Sequence, residues 1–219
     1  QYANYCQTEY CAGVASGLDA LTLAIDACDF PAGSEVIVPS NTYIATIMAV
    51  VRNGLIPILV EPDINTYNID PSKIVTAITA KTKAILAVHL YGKVCDMVRI
   101  QNLAEHYHLT IIEDVAQAQG AKHQGKVAGS FGIGCHSFYP TKNLGALGDG
   151  GAVTCHDELF VEQIKQLRNY GSNKKYHNEL LGYNSRLDEL QARFLSKKLN
   201  ILDEINSHKQ RLAQVYFEV

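Results

Sequence analysis

Lys142 is the residue of this chain whose surroundings point to covalent chemistry. It lies in His136-Ser137-Phe138-Tyr139-Pro140-Thr141-Lys142-Asn143-Leu144-Gly145-Ala146-Leu147-Gly148-Asp149-Gly150-Gly151. There an apolar run ends in a serine, and a single lysine is boxed in by Pro140 and a series of glycines. Glycines allow tight backbone turns that a Cβ would block. A lysine held in such a turn can lose solvation, and desolvation lowers an ammonium pKa towards the neutral amine. A neutral amine suits Schiff-base chemistry on a carbonyl. Taken alone, a lysine in a glycine-rich loop is an ordinary solvated cation. The case depends on what the rest of the chain brings to it.

The elements that must position this lysine are legible as an alternation of strands and helices. A strand over residues 10–15 precedes a helix from 16 to about 28. Ser16 suits its N-cap and Asp19 its positive end, while Leu18, Leu21 and Ile25 share an apolar face. After a turn at Phe30-Pro31-Ala32-Gly33 come a strand at Glu35–Pro39, a helix over 42–52 ended by Asn53-Gly54, and a strand at Ile56–Val60. Pro71 opens a further helix. A nearly continuous apolar strand covers 83–89, a helix 96–107, and a strand 110–113. Past Gly120 the pattern changes. Residues 132–138 and 151–154 read as short strands flanking the Lys142 loop, and 157–170 as a helix. Residues 171–183 are polar and irregular, and 186 to about 217 form one long helix or two. This order argues for right-handed βαβ units and a mainly parallel α/β sheet covered by helices on both faces.

In open parallel sheets, ligands bind beyond the carboxyl ends of the strands. The residues expected there are Ser40-Asn41-Thr42-Tyr43, His89-Leu90-Tyr91-Gly92 and Glu113-Asp114-Val115-Ala116-Gln117. The Ser16-Gly17 turn leads into the first long helix, whose free N–H groups suit a phosphate. A phosphate site, an aromatic ring, a carboxylate and a lysine thus converge on one sheet edge. Other cofactor motifs are missing. Gly129-Ser130-Phe131-Gly132-Ile133-Gly134 has the wrong order and context for a dinucleotide loop, and no Walker phosphate loop occurs. His106 and His108, two apart, read as solvated rather than metal-binding.

The totals narrow the class further. The chain has 219 residues, 47% apolar and 19% charged, as expected of a globular protein. A net charge of −3 advertises no basic face for nucleic acid. No apolar run reaches membrane-spanning length and no signal peptide opens the chain. The six cysteines form no Cys-x-x-Cys pair, so free thiols in a reducing cytoplasm are the simplest account. The chain opens on Gln1 and stops inside a helical pattern, and so reads as a piece of a longer protein.

The lysine segment closely resembles the pyridoxal-phosphate segment of the nucleotide-sugar aminotransferases, the DegT/DnrJ/StrS group. Ser16-Gly17-Leu18-Asp19-Ala20-Leu21, Pro39-Ser40-Asn41-Thr42-Tyr43, His89-Leu90-Tyr91-Gly92, Glu113-Asp114-Val115-Ala116-Gln117 and Gly182-Tyr183-Asn184-Ser185-Arg186 agree as well, in family order and over nearly the whole chain. The resemblance implies the aspartate-aminotransferase fold (fold type I). Residues 1–200 would be the cofactor-binding large domain lacking its N-terminal helix, and 201–219 the start of a truncated small domain or a connecting helix. It also implies roles. Lys142 would form the internal aldimine with pyridoxal 5′-phosphate and then shuttle the proton. Asp114 would pair with the pyridinium nitrogen, and Tyr43 would stack on the ring. Gln117 would sit beside the ring's 3-hydroxyl. Gly17, Leu18 and Ser137 would hold the phosphate. Asn184 would reach the phosphate of a neighbouring subunit, making a homodimer with shared sites.

The implied activity is transfer of an amino group, from L-glutamate by resemblance, to a nucleotide-linked keto-sugar. The Tyr-Pro-Thr-Lys-Asn-Leu-Gly form is most like enzymes that aminate dTDP-3-keto-6-deoxyhexoses; a C4-specific relative is the near alternative. Related dehydratases carry His at the lysine position, and this chain keeps Lys142. Two departures stand out. Leu18 replaces a frequent Thr, and Gln119 a frequent His, which leaves the role of position 119 open. A non-catalytic cofactor-binding regulator is the competing reading from another class.

Overall fold

The computed structural model describes residues 1–218. A short helix α1 (Tyr2–Tyr5) precedes β1 (Tyr10–Val14), α2 (Gly17–Ala27), β2 (Glu35–Pro39), α3 (Ile44–Arg52), β3 (Ile56–Val60), α4 (Pro71–Ala77), β4 (Thr82–Val88), α5 (Met97–Tyr107) and β5 (Thr110–Asp114). A small hairpin follows, β6 (Lys122–His123) with β7 (Lys126–Val127). Next come β8 (Ile133–Ser137), β9 (Gly151–Cys155), α6 (Glu158–Leu167), a second small hairpin of β10 (Ser172–Lys174) and β11 (His177–Asn178), α7 (Glu189–Leu199) and α8 (Leu202–Phe217).

Seven strands form one sheet in the order β1-β9-β8-β5-β4-β2-β3. The pairs from β8 to β3 are parallel. β9 runs antiparallel to both its neighbours, β8 and β1. The sheet is therefore mainly parallel with one reversed strand. The reversal follows from the connection: β8 and β9 are joined by the Lys142 loop, which folds back as a wide hairpin instead of crossing over through a helix.

Alternation along the strands explains why both faces are covered. Val36 and Val38 of β2, with Leu86 and Val88 of β4, pack under α2, α3 and α6. Ile37, Ile85 and Ala87, one residue out of phase, pack against Ile74 of α4 and Met97 and Ile100 of α5. A period of two with apolar residues on both phases is the signature of a strand buried on both sides. A third cluster, Phe138, Leu144, Ala146, Leu195 and Leu202, seats the Lys142 loop on α7 and the start of α8.

Local structure differs from expectation in a few places, each with a cause. The helix expected from residue 42 starts at Ile44, because Tyr43 is extended at φ −66°, ψ 145°. The helix expected over 157–170 ends at Leu167. The chain then turns so that Tyr183 N–H reaches the Leu167 carbonyl and Tyr170 N–H the Tyr183 carbonyl. The last helical stretch is two helices, broken at Asn200-Ile201. No helix of the described residues is long and apolar enough to cross a membrane. All six cysteines are free thiols, and burial pushes Cys6 and Cys28 up to about 12.

Candidate active site

A cavity of about 490 Å³ opens at the carboxyl ends of β4, β5 and β8, between the N-termini of α2 and α3. Gly17, Leu18, Tyr43, Asp114, Gln117, Ser137 and Lys142 all line it. Four separate stretches of sequence are thus brought to one place.

One corner is built for an anion. Ser16 caps α2, its Oγ accepting the Asp19 N–H at 3.0 Å. The first intrahelical bond runs from Ala20 N–H to the Ser16 carbonyl. The N–H groups of Gly17 and Leu18 precede that bond, and the helix dipole adds to their pull on negative charge. Ser137, at the end of β8, stands against them. A Cβ placed on Gly17 would lie 2.5 Å from the Ser137 Cβ, so only glycine lets helix and strand end approach this closely.

Asp114 ends β5 and is buried, with 8% of its surface exposed. Its Oδ2 accepts from Thr46 Oγ1 at 2.9 Å and its Oδ1 from the Ala116 N–H at 3.1 Å. Burial raises its pKa above the ordinary carboxylate value, opposed by those two donors and by the positive charge of Lys142. A cation in the cavity would complete its environment. The chain after Asp114 forms a turn rather than a helix, so the carboxylate is not a helix N-cap.

Lys142 is half-buried in the cavity lining, and its backbone N–H donates to the Tyr139 carbonyl at 2.8 Å. The loop can fold back on itself there because Gly145 lies against the Pro140 carbonyl, where a side chain has no room. Gln117 is fixed by its own oxygen: Oε1 accepts the Tyr91 N–H at 2.9 Å, which leaves the NH₂ group for the cavity. Tyr43 is 71% exposed and walls the mouth.

Three residues of the expected motifs lie elsewhere. Asn184 is exposed and pairs with Asn169 in an isolated bridge; it is not among the residues lining this chain's cavity. His89 and Glu113 are fully buried away from the cavity. His89 Nδ1 accepts the Cys95 N–H at 3.2 Å, so the ring donates through Nε2 to Glu113 at 2.9 Å. Glu113 also accepts the N–H groups of Gly129, Phe131 and Gly132, and so anchors the loop entering β8. Sequence reasoning missed Thr46. Its four-residue spacing from Thr42, whose hydroxyl lies 2.8 Å from its own, was the available signal.

The donors fit pyridoxal 5′-phosphate. The Gly17–Ser137 corner matches a phosphate, Asp114 a basic ring nitrogen, and Lys142 a carbonyl carbon. Among the described residues, no group of His, Cys, Asp and Glu could hold a metal.

Fold and cavity together define a mainly parallel α/β protein with a ligand site at the strand ends and a lysine on a hairpin loop. The chain belongs to the DegT/DnrJ/EryC1/StrS aminotransferase family, whose pattern matches residues 1–219. It is 59% identical to a dTDP-3-amino-3,6-dideoxy-alpha-D-galactopyranose transaminase of Aneurinibacillus thermoaerophilus, over 100% of this chain and 60% of that protein. It is 49% identical to the erythromycin biosynthesis sensory transduction protein EryC1 of Saccharopolyspora erythraea, over 99% of this chain and 59% of the relative. The crystal structure of S. venezuelae DesV in complex with a ketimine intermediate superposes with a TM-score of 0.97 at 46% identity, covering 99% of this chain and 59% of that one. The chain thus spans about 60% of the length of the relatives it matches.

Proposed function

We propose that this chain is the cofactor-binding body of a pyridoxal-phosphate-dependent aminotransferase that aminates a nucleotide-linked keto-sugar. The observation that carries the reading is the meeting of Lys142, Asp114 and the α2 N-terminus in one cavity. Bound there, pyridoxal 5′-phosphate supplies an electrophilic carbon and an electron-withdrawing ring. Lys142 Nζ would hold that carbon and, when free of it, would serve as the base and acid that moves a proton between the substrate carbon and the cofactor carbon. Asp114 keeps the ring nitrogen protonated. Gly17 and Leu18 N–H groups and the Ser137 hydroxyl hold the phosphate; a leucine at position 18 serves because the contact comes from the backbone. Tyr43 covers one ring face, and the Gln117 NH₂ donates to the ring oxygen.

L-glutamate is taken as donor from the family resemblance, and a dTDP-3-keto-6-deoxyhexose as acceptor from the lysine segment and from the name of the Aneurinibacillus relative. We take residues 1–200 as the cofactor-binding body, the protein as cytoplasmic, and the working unit as a homodimer in which Asn184 serves the partner's phosphate. A regulatory reading is favoured by one observation, the sensory-transduction name of the Saccharopolyspora relative. One experiment separates the two. Full-length protein loaded with the cofactor is mixed with L-glutamate, followed by a panel of dTDP- and UDP-keto-sugars. An enzyme converts the cofactor's absorbance to that of its amine form and releases an aminated sugar. An unchanged spectrum with a bound cofactor overturns the aminotransferase reading and supports the regulator.

A further inference from the structure

We propose that Gln119 is a positioning residue for the anion-binding corner: its side-chain amide fixes the strand end from which Ser137 reaches the ligand. The inference rests on the cofactor reading above. Gln119 is 2% exposed and lies behind the cavity, outside its lining. Its Nε2 donates to the Ser137 carbonyl at 2.6 Å. The amide has one usable orientation there, since a flip would set Oε1 against a carbonyl oxygen with no proton between them.

The bond falls where the backbone needs it. Ser137 is the last residue of β8 in the ladder with β9, paired with Gly151. Immediately beyond it the chain leaves the sheet for the Lys142 loop, with the Phe138 N–H held by the Gly150 carbonyl. Gln119 supplies the Ser137 carbonyl with a donor at this exit. Without one, the peptide after Ser137 loses a restraint, and a buried acceptor is left unsatisfied. A turn of that peptide would move the Ser137 side chain relative to Gly17, which lies so close that a Cβ there would fall 2.5 Å from the Ser137 Cβ.

Gln119 is itself held from behind. Its own carbonyl accepts from Asn206 Nδ2 on α8 at 3.0 Å. It also lies five residues after Asp114, in the second of two consecutive turns. One short segment therefore places both ends of the ligand: Asp114 directly at the ring nitrogen, and Gln119 through Ser137 at the phosphate.

The test compares pyridoxal 5′-phosphate with pyridoxal, which lacks the phosphate, by absorbance titration of the full-length apoprotein. Gln119→Met keeps length and bulk but has no donor, and Gln119→His retains an N–H. Wild type should prefer the phosphorylated compound strongly. In Gln119→Met the preference should fall roughly tenfold, the weight of one buried hydrogen bond, with pyridoxal affinity unchanged. Gln119→His should recover most of it. Equal weakening towards both compounds, an unchanged preference in Gln119→Met, or a His variant no better than Met overturns the positioning role. Should the Met variant fail to fold, Gln119→Leu replaces it, because it too has no proton for the Ser137 carbonyl and must show the same selective loss. A wild type indifferent to the phosphate overturns the cofactor reading itself, a result independent of every variant.

Discussion

Asp114 has a donor of its own chain on each oxygen, Thr46 Oγ1 on one and the Ala116 N–H on the other. Thr46 is fully buried and its hydroxyl carries one proton. Because that proton goes to Asp114, the contact with Thr42 must run from the Thr42 hydroxyl to the Thr46 oxygen. Two hydroxyls in series therefore favour the ionised carboxylate that the proposed chemistry needs, against the burial that raises its pKa. Thr46→Val keeps the shape and removes the donor. The Asp114 pKa should then rise further, so the acid limb of the kcat/KM profile should move to higher pH while the plateau rate falls modestly. Asp114→Asn, measured alongside, should retain bound cofactor and lose on the order of a hundredfold or more in rate, equivalent to about 3 kcal/mol of charge-assisted stabilisation. An unmoved acid limb in Thr46→Val would reduce that threonine to packing.

At the scale of the element, β8 carries a second buried titratable group. His136 is fully buried, with Nε2 2.8 Å from Thr154 Oγ1 and Nδ1 2.9 Å from the Tyr2 hydroxyl. Thr154 commits its own proton to the Gly129 carbonyl, so the ring must donate through Nε2 and accept from Tyr2 at Nδ1. Burial pushes its pKa from 6.5 down to about 3. The unfolded chain binds this proton below about pH 6.5 and the native chain does not. Stability should therefore fall as the pH drops from about 6.5 towards 3. Melting temperatures across that range should show a decline that is shallower in His136→Gln, a variant expected to be less stable at neutral pH. The elements themselves were legible where a period was long enough to read. Glu35–Pro39 and Ile56–Val60 stand as expected, and Ser16 caps α2 as its type suggested. The hairpin at Lys122–Val127 was not legible, because two-residue strands carry no periodicity. Nor was the reversal of β9, which depends on how the Lys142 loop folds back rather than on the strand's composition. Seven of the eight site residues named from sequence line the cavity. Thr46 escaped notice, and the role of Gln119 stayed open, because the partner of each, Asp114 or the Ser137 carbonyl, lies far off in the sequence.

At the scale of the whole molecule, the segment carrying Asn184 is turned outward. Tyr176 is 88% exposed, Leu181 94% and Leu190 85%. Apolar side chains this exposed around one segment are what a two-fold partner would cover, and symmetry would put the same loop into both sites. Full-length Lys142→Ala and Asn184→Ala proteins, each inactive, should regain activity on subunit exchange. One site of the mixed dimer receives both defects and the other neither, giving up to half the activity of a wild-type dimer. Confirmed exchange without recovery would place Asn184's function within its own subunit. The sheet order has a further consequence, for synthesis. The neighbour of β1 in the sheet is β9, and α2 packs across β8 and β9. β1 thus waits for its sheet partner until Cys155 has emerged, on the order of ten seconds at ordinary elongation rates. Meanwhile β2 to β5 can already assemble, so the nascent chain has its parallel half before β1 has a place, and α2 must be kept from aggregating until the hairpin that carries Lys142 arrives.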